Sequence, residues 1–186
     1  MTVNFLHRRS IRLPGYDYSQ AGWYFVTICS YKHECIFGEI VNGEIKLNEI
    51  GENIKNEWAN LSKRFSVNLD QFQIMPNHLH GIIIINDPVG VSFMKPVNCV
   101  KPETNISKSK SNCHMGLINQ TPTIGMMVRH FKSKCAYEIH NLGLNQIVWQ
   151  RNYYEHIIRD EFDMNRIVEY IQTNPSNWER DKLYIP

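Results

Sequence analysis

Met75-Pro76-Asn77-His78-Leu79-His80 leads straight into Gly81-Ile82-Ile83-Ile84-Ile85, and this run constrains the chain more than any other. Alternate side chains of a strand share a face, so His78 and His80 can meet one metal ion while Leu79 turns to a core. Strict alternation is absent from residues 82–85, which marks a central strand buried on both faces. A sheet carrying a histidine pair at the head of its middle strand is therefore expected.

The flanking segments supply partners for that strand. Residues 23–29 are rich in aromatic and β-branched side chains, the mark of a strand, and Gly22 marks the turn before them. Asn42-Gly43 between residues 36–41 and 44–47 signals a tight hairpin. Ile50, Ile54, Trp58 and Leu61 fall at helical spacing behind Asn48, an N-cap type. Residues 67–75 form the next strand, before the histidines. A second helix is expected to open at Thr121-Pro122 and to bury Ile124, Met127, Val128, Phe131, Cys135, Ile139 and Leu142, with Gly143 as its stop. Residues 147–150 and 153–158 have strand character. Asp160 opens a last helix with Met164, Ile167, Val168 and Ile171 on its apolar stripe, limited by Pro175. The order predicts an α+β fold, a ferredoxin-like split β-α-β sandwich with an antiparallel sheet, helices on one face and the other face left for a ligand. Residues 87–120 hold no period and are expected to be a flexible insert.

Composition narrows the class. With 186 residues the chain suits a single domain, and 42% hydrophobic against 20% charged residues fits a globular protein rather than a disordered one. The aliphatic run is far too short for a membrane span, and the N-terminus lacks the apolar core of a signal peptide, so no membrane partner and a cytoplasmic location are expected. Five scattered cysteines without a CxxC pair read as reduced thiols. A net charge of +2 does not by itself announce nucleic acid, although Arg8, Arg9 and Arg12 cluster, as do Lys95, Lys101, Lys108 and Lys110.

Tyr170 and Asn174 lie four residues apart and share one face of the last helix. Neutral imidazoles with an amide leave an ion's charge uncompensated and coordination positions open, which suits a Lewis acid acting on a phosphodiester. A tyrosine hydroxyl can be a nucleophile there, although its free pKa of about 10 makes it weak alone. Residues 149–160 interleave aromatic rings with Arg151, His156 and Arg159. That pattern suits single-stranded DNA, and equally a half-buried strand with solvated charges.

Three motifs in order carry a resemblance. His78-Leu79-His80 follows Met75-Pro76-Asn77; Trp149-Gln150-Arg151-Asn152-Tyr153-Tyr154-Glu155-His156 comes next; Tyr170-Ile171-Gln172-Thr173-Asn174-Pro175 closes the set. Together with Arg12-Leu13-Pro14-Gly15-Tyr16 and Tyr24-Phe25-Val26-Thr27, they make the chain similar to the REP-associated tyrosine transposases of the HUH single-tyrosine transposase superfamily. The resemblance implies a nuclease that cuts and rejoins single-stranded DNA beside hairpin or palindromic elements through a 5′-phosphotyrosine. It implies Tyr170 as nucleophile, and His78 and His80 as ligands of a divalent metal, Mg²⁺ or Mn²⁺. Asn174 would stand where related transposases carry a glutamine ligand. Arg12, Trp149, Arg151, Tyr153, Tyr154, His156 and Arg159 are the expected DNA contacts. Monomer and homodimer are both open. The rival readings are a non-catalytic RRM-like nucleic-acid module and a metal-dependent hydrolase, the latter needing a carboxylate near the histidines.

Overall fold

The structure, a computed structural model, describes residues 12–86 and 122–185. The insert expected at 87–120, its lysines, Arg8, Arg9 and Thr121 lie outside the described residues. Strands β1 (Gly22–Cys29), β4 (Val67–Ile74), β5 (His78–Ile85) and β6 (Tyr154–Ile158) form an antiparallel sheet ordered β4-β5-β1-β6. Strands β2 (Gly38–Val41) and β3 (Glu44–Leu47) make a separate hairpin. Its turn is Asn42-Gly43, with φ of 54° and 78°, the positive pair that a two-residue hairpin of this twist demands.

Helices α1 (Glu49–Arg64) and α2 (Ile124–Asn141) join β3 to β4 and β5 to β6. Asn48 caps α1 by accepting a hydrogen bond from Gly51 N, and the spaced Ile50, Ile54, Trp58 and Leu61 are all buried. The cap of α2 is Thr123, which accepts from Met126 N, two residues beyond the expected Thr121. Both helices cover one sheet face. There Tyr24, Val26, Ile28, Leu79, Ile83 and Ile85 pack with Ile54, Trp58, Met127 and Phe131 in one core. Gly81 is required in this layer: a Cβ on it would lie 2.3 Å from the Trp58 ring, which stacks on Phe72.

Helix α3 (Glu161–Thr173) corrects the expectation that all helices share a face. Asp160 caps it by accepting from Asp163 N, as its sequence suggests. Ile167 and Ile171 pack on Ile82 and Ile158, which by strand alternation point away from the α1/α2 layer. The continuous aliphatic run of β5 thus feeds two cores, one on each face. Residues 147–150 form no strand; Trp149 makes only an isolated bridge to Ser30. After α3 the chain turns through a 3₁₀ segment, Pro175–Arg180, and passes back over the end of β5 that carries the histidines.

Candidate metal centre

Pro76 and Asn77 make the turn that delivers the histidines. Phe37 N donates to Pro76 O, Ser30 N to Asn77 O, and Met75 N to His78 O, so the turn is fixed from three sides. The buried Asn77 amide donates through Nδ2 to the carbonyls of His33 and Leu183. Its Oδ1 is therefore an acceptor, and it lies 2.8 Å from His78 Nδ1. A proton on Nδ1 satisfies it and leaves the lone pair of His78 on Nε2.

His80 is held in a parallel way. Thr27, its cross-strand partner on β1, sets Oγ1 2.9 Å from His80 Nδ1. Phe25 stacks on the imidazole, with ring centroids 5.3 Å apart. The two Nε2 atoms lie 3.0 Å apart, close to the span of two neighbouring donors that share one ion at about 2.1 Å. Burial pushes the pKa of His78 down to about 4 and that of His80 to about 3, so both rings are neutral near pH 7. Neutral rings with oriented Nε2 lone pairs and held Nδ1 atoms are the form that metal ligation requires.

Asp181 joins them, and the sequence reading missed it. One ligand atom from each of His78, His80 and Asp181 lies within 4.8 Å of the others. The Asp181 carboxylate accepts from Asn174 Nδ2 at 2.6 Å, from Leu183 N at 2.6 Å and from the Tyr170 hydroxyl at 3.2 Å. Burial opposes its ionisation, but these donors and the nearby His78 outweigh it and hold the carboxyl below its usual range. Two imidazoles and a carboxylate suit a divalent ion with open positions.

The Tyr170 hydroxyl also lies 3.2 Å from His80 Nε2. Burial first, then the negative Asp181, push its pKa up, so the phenol is protonated at neutral pH. Asn174, one turn on, is buried, and its Oδ1 has no hydrogen-bond partner. Tyr170, Asn174, Arg180 and Asp181 line one cleft, which puts an exposed guanidinium beside the carboxylate.

The expected DNA contacts divide between the two faces. Tyr154 and His156 stand on the α3 face of β6, exposed, with His156 bonded to Asp163. Arg151 and Arg159 are exposed at the two ends of that strand. Trp149 is not at the site: its ring packs against Phe37 and Phe131 in the larger core. Tyr153 packs on the same core and accepts a hydrogen bond from Arg12, which also pairs with the buried Glu155. Aromatic rings in a short run look alike in sequence, but Trp149 and Tyr153, ahead of β6, turn into the larger core, while Tyr154 and His156 within it face the α3 side.

The chain is 43% identical over 180 residues to a Haemophilus influenzae protein described as uncharacterised, covering 96% of this chain and 94% of that one. The two belong to one family. No protein-family model matches the chain. Among solved structures, a REP-associated tyrosine transposase bound to a REP hairpin superposes with a TM-score of 0.59 at 15% identity, over 94% of this chain and 77% of that one. The chain therefore has the fold of that transposase, and the resemblance carried by its motifs holds at the level of the fold.

Proposed function

We propose that the protein is a metal-dependent, transposase-type endonuclease that cleaves and rejoins single-stranded DNA beside hairpins through a phosphotyrosine at Tyr170. The observation that carries this reading is the Tyr170 hydroxyl, 3.2 Å from His80 Nε2 and hydrogen-bonded to Asp181. The hairpin bound by the structural relative supports hairpin DNA as the substrate class.

His78, His80 and Asp181 would hold the ion, with Asn174 orienting Asp181 through Nδ2 and offering its unpartnered Oδ1. A divalent cation there supplies Lewis acidity for the scissile phosphate and positive charge that favours the phenolate. Tyr170 Oη forms the new bond to phosphorus while the P–O3′ bond breaks, leaving a 5′-phosphotyrosine and a free 3′-OH. Asp181 Oδ2 already accepts the hydrogen bond of that phenol and takes its proton, while the departing O3′ takes a proton from water to become the 3′-OH. Arg180 offers a guanidinium to a phosphate oxygen in the same cleft. The reverse attack of a 3′-OH on the phosphotyrosine rejoins a strand, and no nucleotide cofactor is consumed.

The test is incubation with Mn²⁺ or Mg²⁺ and a labelled hairpin oligonucleotide with single-stranded flanks, followed by denaturing electrophoresis. A protein–DNA adduct that disappears in Tyr170→Phe and in EDTA is expected. Persistence of the adduct in Tyr170→Phe refutes the nucleophile, and insensitivity to EDTA refutes the metal. Asp181 also favours a second reading, a metal-dependent hydrolase in which water would attack in place of Tyr170, because it supplies the carboxylate that reading needs. That enzyme would release a free 5′-phosphate with no adduct.

A further inference from the structure

The stripe of α3 that leads to Tyr170 has an unusual composition. Phe162 is 81% exposed, the most exposed large apolar side chain among the described residues. Arg166 is exposed four residues on, and Tyr170 follows after four more. Steps of four bring successive side chains over one another, about 6 Å apart along the axis, while the stripe winds gradually around the helix. It therefore runs as a ramp from solvent beside Phe162 down to the hydroxyl at His80. Each step is close to the phosphate-to-phosphate spacing of an extended single strand.

Strand β6 faces this ramp. Tyr154 pairs with Thr27, which contacts His80, and His156 pairs with Phe25, which contacts both His80 and Tyr170. Asp163 bridges the two sides, taking His156 Nε2 at 2.6 Å on one oxygen and Arg166 at 2.7 Å on the other. Its carboxylate is thereby engaged by His156 and Arg166 together, and Glu169, exposed three residues beyond Arg166, borders the stripe on the side away from Asp163. An exposed ring followed one turn on by a guanidinium, on a stripe that ends at Tyr170, matches an occupant made of alternating bases and phosphates.

We propose that Phe162 and Arg166 form a single-strand track, in which Phe162 stacks on a base two nucleotides from the phosphate at Tyr170 and Arg166 contacts the phosphate between. This deepens the strand-transfer reading above and rests on it. The occupant is one unpaired DNA strand, and Tyr154 forms the opposite wall of the trough.

The experiment uses Tyr170→Phe protein in EDTA, so that binding is read without cleavage. Ultraviolet crosslinking to oligo(dT) carrying 5-iododeoxyuridine is expected to modify Phe162, as located by mass spectrometry. By fluorescence anisotropy, Phe162→Ala weakens oligo(dT) binding about tenfold, the effect of one lost base stack. Arg166→Gln lowers the slope of log affinity against log salt by about 0.7, the value of one single-strand phosphate contact. Phe162 is exposed, so its loss does not threaten folding. Crosslinks confined to other residues, or Phe162→Ala binding within about twofold of the parent, overturn the track. These results are independent of the adduct assay. Binding that maps to Phe162 without any adduct from the parent protein refutes the strand-transfer chemistry and leaves the track standing as a binding surface.

Discussion

The two faces of the sheet are built from the same strands and serve opposite ends. On the α1/α2 face, Tyr24, Val26, Ile28, Leu79 and Ile83 are fully buried against two long helices. On the α3 face the apolar cluster shrinks to Ile82, Ile158, Ile167 and Ile171, and the rest of the surface carries His78, His80, Thr27 and Tyr170. Residues 78–85 contribute to both: Leu79, Ile83 and Ile85 enter the larger core, while His78 and His80 face the site and Ile82 the smaller core. Stability is concentrated where the histidines are not, which lets the site keep buried polar groups and a half-exposed tyrosine.

The largest effect expected from this division is Trp58→Ala. Removing a ring packed on Gly81, Phe72 and Phe131 costs about 3–5 kcal/mol in urea denaturation. Tyr170→Phe is expected to leave the midpoint almost unchanged; a comparable loss in both variants would abolish the contrast between faces. Gly81→Ala drives a methyl group into the same ring and costs about 1–3 kcal/mol. Thr27→Val, on the other face, is expected to weaken Mn²⁺ binding roughly 10–100-fold by calorimetry through loss of the partner of His80 Nδ1, with little change in stability.

Acid separates the faces as well. The unfolded chain titrates its histidines near 6.5, whereas the folded values are about 4 for His78 and about 3 for His80. Between these limits the unfolded chain binds protons that the fold refuses, so stability rises with pH and falls as pH drops from about 6.5 toward 4. A thermal melt series should show this limb, and a His78→Gln/His80→Gln variant should flatten it. The smallest effects are the caps. Asn48→Ala and Asp160→Ala each cost about 1 kcal/mol, but hydrogen exchange should show α3 opening at lower free energy than α1 in both proteins.

Much of the frame was legible because it is local. The positive-φ pair at Asn42-Gly43, the caps at Asn48 and Asp160 and the stripe of α1 each follow from a few neighbouring residues. The side of the sheet taken by α3 was not. Its stripe says that a face is buried, not against which layer, although the unbroken aliphatic run at residues 82–85 implied cover on both faces. Trp149 could not be told from a stacking residue, since Phe37 and Phe131, which enclose it, are remote in sequence. Asp181 was out of reach for the same reason: no spacing rule links it to His80, and only the turn at Pro175–Arg180 brings it back. Strand periodicity put His78 and His80 on one face, and helix periodicity put Tyr170 and Asn174 together, but that the two sets meet was implied by the family resemblance and not by any spacing.

The ties made by Asn77 have a practical consequence. Its amide holds the carbonyl of Leu183, while Leu183 N holds Asp181 beneath Tyr170. A proteolytic nick just after Arg180 would release those bonds together while leaving both sheet cores whole. Limited digestion followed by mass spectrometry thus offers a readout of site assembly separate from folding, and a tag spliced in at Lys182 would disturb the centre from the outside.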